Sequence, residues 1–380
     1  MAKKVSKKAE STAKGGGSRK SAESAPVRGE LALERVPRLG DVLGQDRAVG
    51  VLRRALESGR LHHAWIFAGP MGVGKFTTAL ALAALALDPS TGRTLAGELE
   101  ADEDGPVQKL LRAGSHPDLH VVTKEMAAYS RERQVRDSKQ RTIPVDVVRE
   151  FLIEPSQRSR QVAGASMASR VFIVDGAEFM NAAAQNALLK TLEEPPAGVL
   201  IVLVTTAEDR LLPTIRSRCQ RVGFGELDDR SMRAWLASRG LDERGDELME
   251  LVGCSPGRAL AALSNGLAEW RDAVWPMVDA ALSGREPVEM GSTMHGLCEE
   301  WAKAWVKANP DASKEAANHA AVARMLELVS RRVREHMSRG RGEMPALVSA
   351  VDALREAESL AERNVNLQFV FDDLAARLGE

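Results

Sequence analysis

The 380-residue sequence predicts an α/β protein with a parallel sheet, followed by a part that contains only helices. Between Leu43 and Phe224, apolar runs of strand length alternate with segments of helical periodicity, as in a parallel sheet covered by helices. A glycine-rich segment joins the first apolar run to a helical pattern, and after Phe224 the strand pattern ends. Because the chain is too long for one compact core, we expect two or three domains.

The elements follow from these patterns in chain order. A helix is predicted from Thr78 to Leu87, and a helical unit from Leu227 to Leu263 is broken by the turn Gly253 to Gly257, with a new helix starting near Arg258. Two loops are predicted, at Lys124 to Arg141 and at Gln161 to Ser169. The predicted strands are Ala64 to Ala68, Leu119 to Val122, Val171 to Val174 and Val199 to Thr205. Further helices follow, with apolar faces at Leu326, Val329, Val333 and Met337, and at Leu347, Val351, Leu354 and Ala361.

The composition limits the kinds of partner. With 52 basic and 53 acidic residues the formal charge is -1, which predicts no strong attraction of the whole molecule to DNA. Aromatic residues make up 4% of the chain, with one Tyr, which argues against base-stacking platforms. Any DNA contact therefore depends on a local basic patch or on partner subunits.

The cysteines and apolar runs indicate a cytoplasmic protein. Cys219, Cys254 and Cys298 lie far apart and form no CxxC pair, so neither a zinc knuckle nor a disulfide scaffold is expected. The longest apolar run, Ala79 to Leu87, is much shorter than the ~20 residues needed to span a bilayer. The N-terminus lacks the apolar core of a secretory signal. We expect no membrane association.

The first 34 residues form a predicted disordered basic tail. Residues 1–30 carry eight Lys or Arg against three Glu, together with Ser, Ala and Gly. The tail is either an arm that touches DNA or a solubilising extension, and the second interpretation is favoured because such tails are commonly unstructured.

The segment Gly69 to Lys75 (GPMGVGK) has the context of a P-loop, since it follows a strand and precedes a helix. Glycines let backbone amides converge on phosphate oxygens, and Lys75 would reach the outer phosphates. Phe76, however, stands where Ser or Thr should offer a hydroxyl to magnesium. Thr77 is one residue late, which on a helix is a rotation of about 100°. Phosphate binding can survive these changes, but the magnesium site is damaged.

The second nucleotide-site signature is the apolar strand Val171 to Val174, which ends in Asp175. Asp175 could sit beside magnesium, but the next residue, which should carry a carboxylate to orient water, is Gly176. Glu178 lies two residues further on, where an acid at a helix start is the favoured interpretation. Two catalytic positions are thus lost independently, which predicts a retained scaffold without its chemistry.

Four further segments resemble the bacterial DNA polymerase III clamp-loader family of AAA+ proteins. They are Leu61 to Phe67 (LHHAWIF), Gly114 to Asp118 (GSHPD), Asn181 to Pro196 (NAAAQNALLKTLEEPP) and Ile215 to Cys219 (IRSRC). The resemblance covers about Leu43 to Leu263, with a weaker similarity at Arg363 to Asn366. After the basic tail (1–34), it implies an AAA+ RecA-like P-loop domain (35–225), a small helical lid (226–265) and a C-terminal all-helical collar domain for oligomerisation (266–380).

The resemblance also implies roles for single residues. Arg218 would be an arginine finger acting in trans on the ATP site of a neighbouring motor subunit; from the residues alone it could equally be a structural arginine paired with a local acid. Thr205 or Thr206 resembles the γ-phosphate sensor and Arg258 the lid arginine, although both could be relics. The predicted degenerate nucleotide site comprises Gly69, Gly72, Gly74, Lys75, Thr77, Asp175, Thr206 and Arg258.

Metal ligands are not expected. His116 and Asp118 are interpreted as turn and packing residues, because no cluster of His, Cys or acids accompanies them. Members of the family usually carry four zinc-binding cysteines between the P-loop helix and the His-Pro-Asp segment, but residues 88–115 contain no cysteine. The sequence therefore predicts no zinc.

Within the family, the damaged ATP site resembles the delta-prime stator. This implies a subunit that helps load the sliding clamp on primed DNA, with delta and gamma/tau subunits as partners and with clamp and primer-template DNA contacted through the complex. No cofactor is required, ATP or ADP would bind weakly at most, and the chain itself would have no ATPase or polymerase activity. The alternatives are a gamma/tau-type ATPase motor subunit and an unrelated AAA+ remodelling ATPase.

Overall fold

The protein is described by a computed structural model, which covers residues 33–94, 97–136, 142–158, 166–264, 266–285, 287–308, 313–340, 343–363 and 365–378. The predicted basic tail, apart from its last two residues, lies outside the described residues. So do parts of the two predicted loops and Asn364 of the weaker C-terminal similarity.

The first domain is built on a five-stranded parallel sheet with the order β4-β5-β6-β1-β7. The four predicted strands are all present, β5 being one residue longer at each end. The edge strand β7 was missed, because only Val222 of its residues is buried and it has no apolar run. The strands are β1 Ala64–Ala68, β4 Leu119–Val122, β5 Arg170–Asp175, β6 Val199–Thr205 and β7 Gln220–Gly223, with a separate antiparallel pair β2 Gly92–Arg93 and β3 Leu99–Glu100.

Helices cover both faces of this sheet, as the alternating pattern predicted. Successive residues of β1 point to opposite faces, so Trp65 and Phe67 join one core and Ala64 and Ile66 the other. A π-helical turn, Arg149–Ile153, connects α5 to α6. The helices are α1 Asp46–Glu57, α2 Lys75–Leu87, α3 Pro106–Arg112, α4 Arg133–Arg136, α5 Val145–Val148, α6 Glu154–Ser156, α7 Ala182–Glu193 and α8 Pro213–Arg216.

A buried ion pair fixes the edge of the sheet where the strands begin. Arg170 and Asp118, whose side chains are 3% and 1% exposed, approach to 3.2 Å. Arg170 also donates hydrogen bonds to the carbonyl oxygens of Pro155 and Arg158, and the Asp118 amide donates to Nδ1 of His116. The Gly114 to Asp118 segment therefore acts in packing, where it joins β4, β5 and the end of α6.

A hydrogen-bond network supports the segment in which the family usually has its zinc module. Asp88 accepts bonds from the Ser90 amide (2.9 Å) and hydroxyl (2.7 Å) and from Nε2 of Gln108 (2.8 Å). The Ser90 hydroxyl in turn accepts from the Asp102 amide. These contacts tie α2, the loop before β2 and α3 together, since buried polar groups that satisfy one another stabilise a loop.

After β7 the chain is helical, as predicted. One continuous cluster of buried apolar residues, from Leu227 to Leu378, joins the predicted lid to the predicted collar, so the two share a hydrophobic core across the boundary near residue 265. The helices are α9 Asp229–Ser238, α10 Gly245–Val252, α11 Pro256–Ser264, α12 Leu267–Ala281, α13 Met290–Ala308, α14 Lys314–Ser338, α15 Met344–Glu362 and α16 Leu367–Leu378.

The predicted loop from Lys124 to Arg141 contains more structure than expected. Lys124–Tyr129 forms a 3₁₀ helix, α4 follows, and the Glu150 carboxylate accepts hydrogen bonds from the Ser130 hydroxyl and the Arg131 amide.

Among the helices of the described ranges, none is both long and apolar enough to cross a membrane.

Candidate functional site

The P-loop connects the end of β1 to the start of α2, as the sequence predicted. Lys75 is 5% exposed, and its Nζ donates to the carbonyl oxygens of Gly69 (2.6 Å) and Pro70. Burial lowers the pKa of Lys75 to about 8, although the carboxylates of Glu178 and Asp175 raise it. The ammonium group thus lies across the mouth of the loop and close to both acids.

The start of α2 offers no hydroxyl to a metal beside Lys75. Phe76 is half-buried and packs against the core of the sheet domain, whereas Thr77 is exposed. The buried Thr78 donates its hydroxyl to the Gly74 carbonyl oxygen at 2.7 Å. The residues present therefore do not fit a magnesium ion bound in the usual P-loop manner.

Two acids and a threonine gather at the ends of β5 and β6. The Glu178 Oε1 accepts bonds from the Thr206 amide (3.0 Å) and hydroxyl (2.5 Å), while its Oε2 is buried and has no hydrogen-bond partner in the described part of the chain. Burial and the Glu178 carboxylate raise the pKa of Asp175 to about 6. Glu178 lies in the first turn of a short 3₁₀ helix, Ala177–Phe179, as expected for a helix-start acid, and it also bonds the predicted sensor residue Thr206.

Gly176 adopts a left-handed backbone conformation with φ 76°. A Cβ atom at this position would approach the Phe179 ring to 2.7 Å. An acidic residue here would have a strained backbone and would clash with Phe179, so the local structure favours glycine at the position where a catalytic carboxylate is missing.

The raised pKa of Asp175 predicts a pH-dependent stability. The folded chain keeps a proton on Asp175 up to about pH 6, whereas the unfolded chain releases it near pH 3.8. This contribution is therefore complete below about pH 4 and lost as the pH rises through 6. Asp175→Asn should remove the loss, so the variant should gain thermal stability over the wild type between pH 4 and 7. Melting curves across this range test it, with the exposed Asp209→Asn as control; parallel curves for wild type and Asp175→Asn would contradict the expectation.

The lid lies directly on the P-loop. The Ser255 hydroxyl donates to the Met71 carbonyl oxygen (2.9 Å), and the Gly257 amide donates to that of Gly72 (2.8 Å). A Cβ atom on Gly257 would lie 2.7 Å from the Gly72 Cα, so both positions require glycine. The lid thus binds two backbone carbonyl oxygens of the P-loop, and no sequence motif predicted these contacts.

The buried Gln45 holds the loop from the other side. Its Nε2 donates to the carbonyl oxygens of Val73 (3.3 Å) and Gly225 (2.7 Å), and its Oε1 accepts from the Gly225 amide. Gln45 therefore links the P-loop to the start of the lid, a role the sequence did not reveal because a single amide carries no pattern.

Arg258 lies near this junction but its guanidinium bonds elsewhere. It forms ion pairs with Glu226 (3.2 Å) and with Glu327 on α14 (2.8 Å), although it is close enough to Lys75 to lower the pKa of that amine. The predicted lid arginine therefore connects the lid to the C-terminal helices in this structure.

Arg218 occupies a different place. It is bonded to Glu193 Oε1 (2.7 Å) and to the Thr214 carbonyl oxygen (2.9 Å), and it lines an open cleft of about 500 Å³ together with His62 and His63. Its side chain is 35% exposed. A surface ion pair of this kind contributes little stability, so Arg218 can exchange Glu193 for another anion at small cost.

The sheet separates Arg218 from the P-loop. His62, His63 and Arg218 come just before β1 and β7, whereas the P-loop follows the other end of β1. Since these strands are parallel, the two groups lie at opposite edges of the sheet, separated by the length of β1, roughly 16 Å. Lys75, Asp175, Glu178 and Thr206 form one cluster, and Arg218 cannot join it. Within the described residues, no cluster of metal-binding side chains is found.

A family model described as DNA polymerase III, delta subunit, matches residues 44–228 of the chain. The chain is 32% identical over 238 residues to the DNA polymerase III subunit gamma/tau of Mycobacterium tuberculosis, covering 60% of this chain and 37% of that protein. It is 30% identical over 226 residues to the subunit delta' of Bacillus subtilis (59% and 57%) and 34% identical over 204 residues to that of Pseudomonas aeruginosa (53% and 54%). The chain thus spans about half the length of these relatives, or less.

Solved structures align loosely. A DNA polymerase III gamma subunit-related protein from Thermotoga maritima gives a TM-score of 0.39 at 18% identity, covering 86% of this chain and 98% of that one. The RuvB Holliday junction branch migration motor of Thermotoga maritima gives 0.36 at 16% identity, covering 61% and 64%. These alignments carry no argument about function. The family match, in contrast, contains the P-loop, Asp175, Glu193 and Arg218, and residues 44–228 of the chain belong to the DNA polymerase III clamp-loader family.

Proposed function

We propose that this chain is a delta-prime-type stator of a DNA polymerase III clamp loader, which arranges its neighbours and does not hydrolyse ATP itself. The observation that carries the proposal is the loss of two groups needed for hydrolysis. Phe76 replaces the Ser or Thr whose hydroxyl would bind magnesium, and Gly176 replaces the acid after β5 that would orient the attacking water. The surrounding structure is adapted to both residues. Phe76 packs against the hydrophobic core, and Gly176 has a left-handed backbone conformation that an acidic residue would rarely adopt.

The contacts around the P-loop support this proposal. Lys75 is held by carbonyl oxygens of its own loop, and the loop is fixed by Gln45, Ser255 and Gly257. ATP or ADP would have to bind without a side-chain hydroxyl that coordinates magnesium, and would have to displace these contacts, so we expect weak binding at most. We also propose that the protein requires no cofactor and no zinc.

The position of Arg218 supports a role in trans. Its edge of the sheet is remote from its own P-loop, so Arg218 cannot reach a phosphate bound there and would act on one bound by a neighbouring chain. There the planar guanidinium would stabilise charge on a transferring phosphoryl group. The partners would be delta and gamma/tau subunits, and the sliding clamp and primer-template DNA would be met through the complex in the cytoplasm.

The isolated chain is expected to release phosphate from ATP no faster than background, and Lys75→Ala should change nothing. Steady-state phosphate release from the full chain, with and without Lys75→Ala, measures this directly. A gamma/tau-type ATPase subunit assayed in parallel controls for the conditions. Turnover that disappears with Lys75→Ala would rule out the stator assignment.

That outcome would favour a gamma/tau-type motor subunit, the second candidate. The observation in its favour is the identity of 32% to the Mycobacterium tuberculosis gamma/tau subunit, together with the Glu178 carboxylate that reaches Thr206. An AAA+ remodelling ATPase unrelated to replication is separated from both by affinity purification from the native cell, which should recover clamp-loader subunits if either of the first two functions is correct.

A further inference from the structure

A cleft lined by seven apolar residues and five charged ones lies between the lid, the C-terminal helices and the P-loop. It has a volume of about 40 Å³. Four arginines and one acid, Glu327, supply its charged side chains, so the lining carries an excess of positive charge. The residues that matter here are Met71 of the P-loop, Arg258 of α11, and Arg324, Glu327, Arg331 and Arg334 of α14.

Arg324 is the least compensated of these arginines. The face of its guanidinium lies over the Trp301 ring, 4.2 Å from the centroid, and its buried Nη1 has no hydrogen-bond partner in the described part of the chain. Because the Trp301 ring covers the face of the guanidinium, an acceptor for the unpaired Nη1 would have to lie in the plane of the group. A buried donor without an acceptor costs roughly the desolvation of that group, which an anion would recover.

One acid, Glu327, raises the pKa of Arg324 by its negative charge, but it forms its ion pair with another arginine. Glu327 is bound at 2.8 Å by Arg258, which also pairs with Glu226. Arg331 donates to the carbonyl oxygens of Met249 and Glu250 at the end of α10, and these are neutral acceptors.

Desolvation lowers the pKa values of both Arg324 and Arg331. The Glu226 carboxylate raises the pKa of Arg331, whereas Arg334 and Arg258 lower it through like-charge repulsion. Since arginine stays protonated in proteins, the positive charge that Glu226 and Glu327 leave uncompensated would attract a further anion.

We propose that this cleft binds a phosphate group, held by Arg324 with Arg331 and Arg334, at the junction of P-loop, lid and α14. A volume of about 40 Å³ holds about three water molecules, which suits a single phosphate group and excludes a nucleoside. Guanidinium edges bind phosphate oxygens in a bidentate manner, and several together select a multiply charged anion. The source would be inorganic phosphate or the terminal phosphate of a nucleotide whose remainder stays outside. The proposal does not depend on the stator function.

Binding of phosphate would link three parts of the molecule. Arg324, Arg331 and Arg334 are all on α14, Arg331 already holds the end of α10, and Met71 belongs to the loop on which the lid rests. An anion held by these side chains would therefore lie beside the contact between the lid and the C-terminal helices.

The experiment titrates the full chain with inorganic phosphate at constant ionic strength, against chloride, by calorimetry and by thermal melting. Phosphate should bind and raise the melting temperature, since a ligand of the folded state stabilises it. Arg324→Gln should weaken the affinity by about tenfold or more, because charge-assisted hydrogen bonds are lost. The matched control Arg355→Gln, a 76% exposed arginine on α15, should leave it unchanged. No binding by the wild type, or equal affinity in Arg324→Gln, would overturn the proposal.

Further arms identify the site and the ligand. Lys75→Ala should retain phosphate binding; loss there, with retention in Arg324→Gln, would assign the anion to the P-loop and refute the cleft. Acetate that binds as tightly as phosphate would mean a carboxylate site, which also refutes it. ADP that binds more tightly than phosphate and still requires Arg324 would identify a nucleotide phosphate as the source. If Arg324→Gln does not fold, the exposed Arg334 decides: weaker binding in Arg334→Gln supports the proposal and unchanged binding overturns it.

Discussion

Replacing Arg218 by alanine is expected to leave a reconstituted clamp loader assembled and to abolish most of the hydrolysis at one ATP site. An arginine finger is worth ~10³ to 10⁵ in rate at the site it completes. Other sites would keep the fingers of their own neighbours, so total ATP turnover should fall only in part. Clamp loading, which needs the sites to act together, should fall much further.

The structure predicts that the Arg218→Ala variant folds normally, so a loss of activity would report on the role of the guanidinium. Arg218 is only half-buried, and its contacts to Glu193 and the Thr214 carbonyl oxygen are of a kind that stabilises little, so the fold should survive its removal. Arg218→Lys should not restore activity, because an ammonium group lacks the planar fork of donors that engages phosphate oxygens.

The measurement compares ATP turnover and clamp loading in complexes that carry wild-type, Arg218→Ala or Arg218→Lys protein, after sizing has shown equal assembly. Arg221→Ala is the matched control, since Arg221 is a more exposed arginine on the adjacent strand and also pairs with a single acid, Glu208. Unchanged loading with Arg218→Ala would mean that Arg218 is a structural arginine paired with a local acid.

The second large effect concerns stability and the buried pair of Arg170 and Asp118. Arg170→Met should leave the Asp118 carboxylate buried beside the sheet without its cation, which typically costs about 3–5 kcal/mol. The double variant Arg170→Met, Asp118→Asn should recover much of this loss, because the uncompensated charge is then removed as well.

Chemical denaturation of the three proteins measures the free energy of unfolding. The control is Arg131→Met, which breaks an ion pair of similar length with Glu154 whose partners are 54% and 45% exposed, and which should cost less than about 1 kcal/mol. An Arg170→Met variant no less stable than Arg131→Met would show that the pair does not anchor β4 to β5.

Patterns close together in the sequence predicted much of this protein. Apolar runs identified β1, β4, β5 and β6, since parallel strands that are covered on both faces are rich in apolar residues. The P-loop was predicted because its chemistry requires glycines and a lysine in consecutive order. Phe76 and Gly176 could likewise be recognised as departures, because each stands at a fixed offset within a local motif.

The tertiary structure decided what depends on residues distant in the sequence. The contact of Gly257 with Gly72, the partners of Arg258 and the cleft around Arg324 each join residues far apart in the chain, and no local period encodes such pairs. The edge strand β7 was missed for the related reason that its stability comes from hydrogen bonds to β1 and hardly from its own apolar residues. Only the parallel order of β1 and β7 placed Arg218 and the P-loop at opposite edges of the sheet, because strand direction is a property of the assembled sheet.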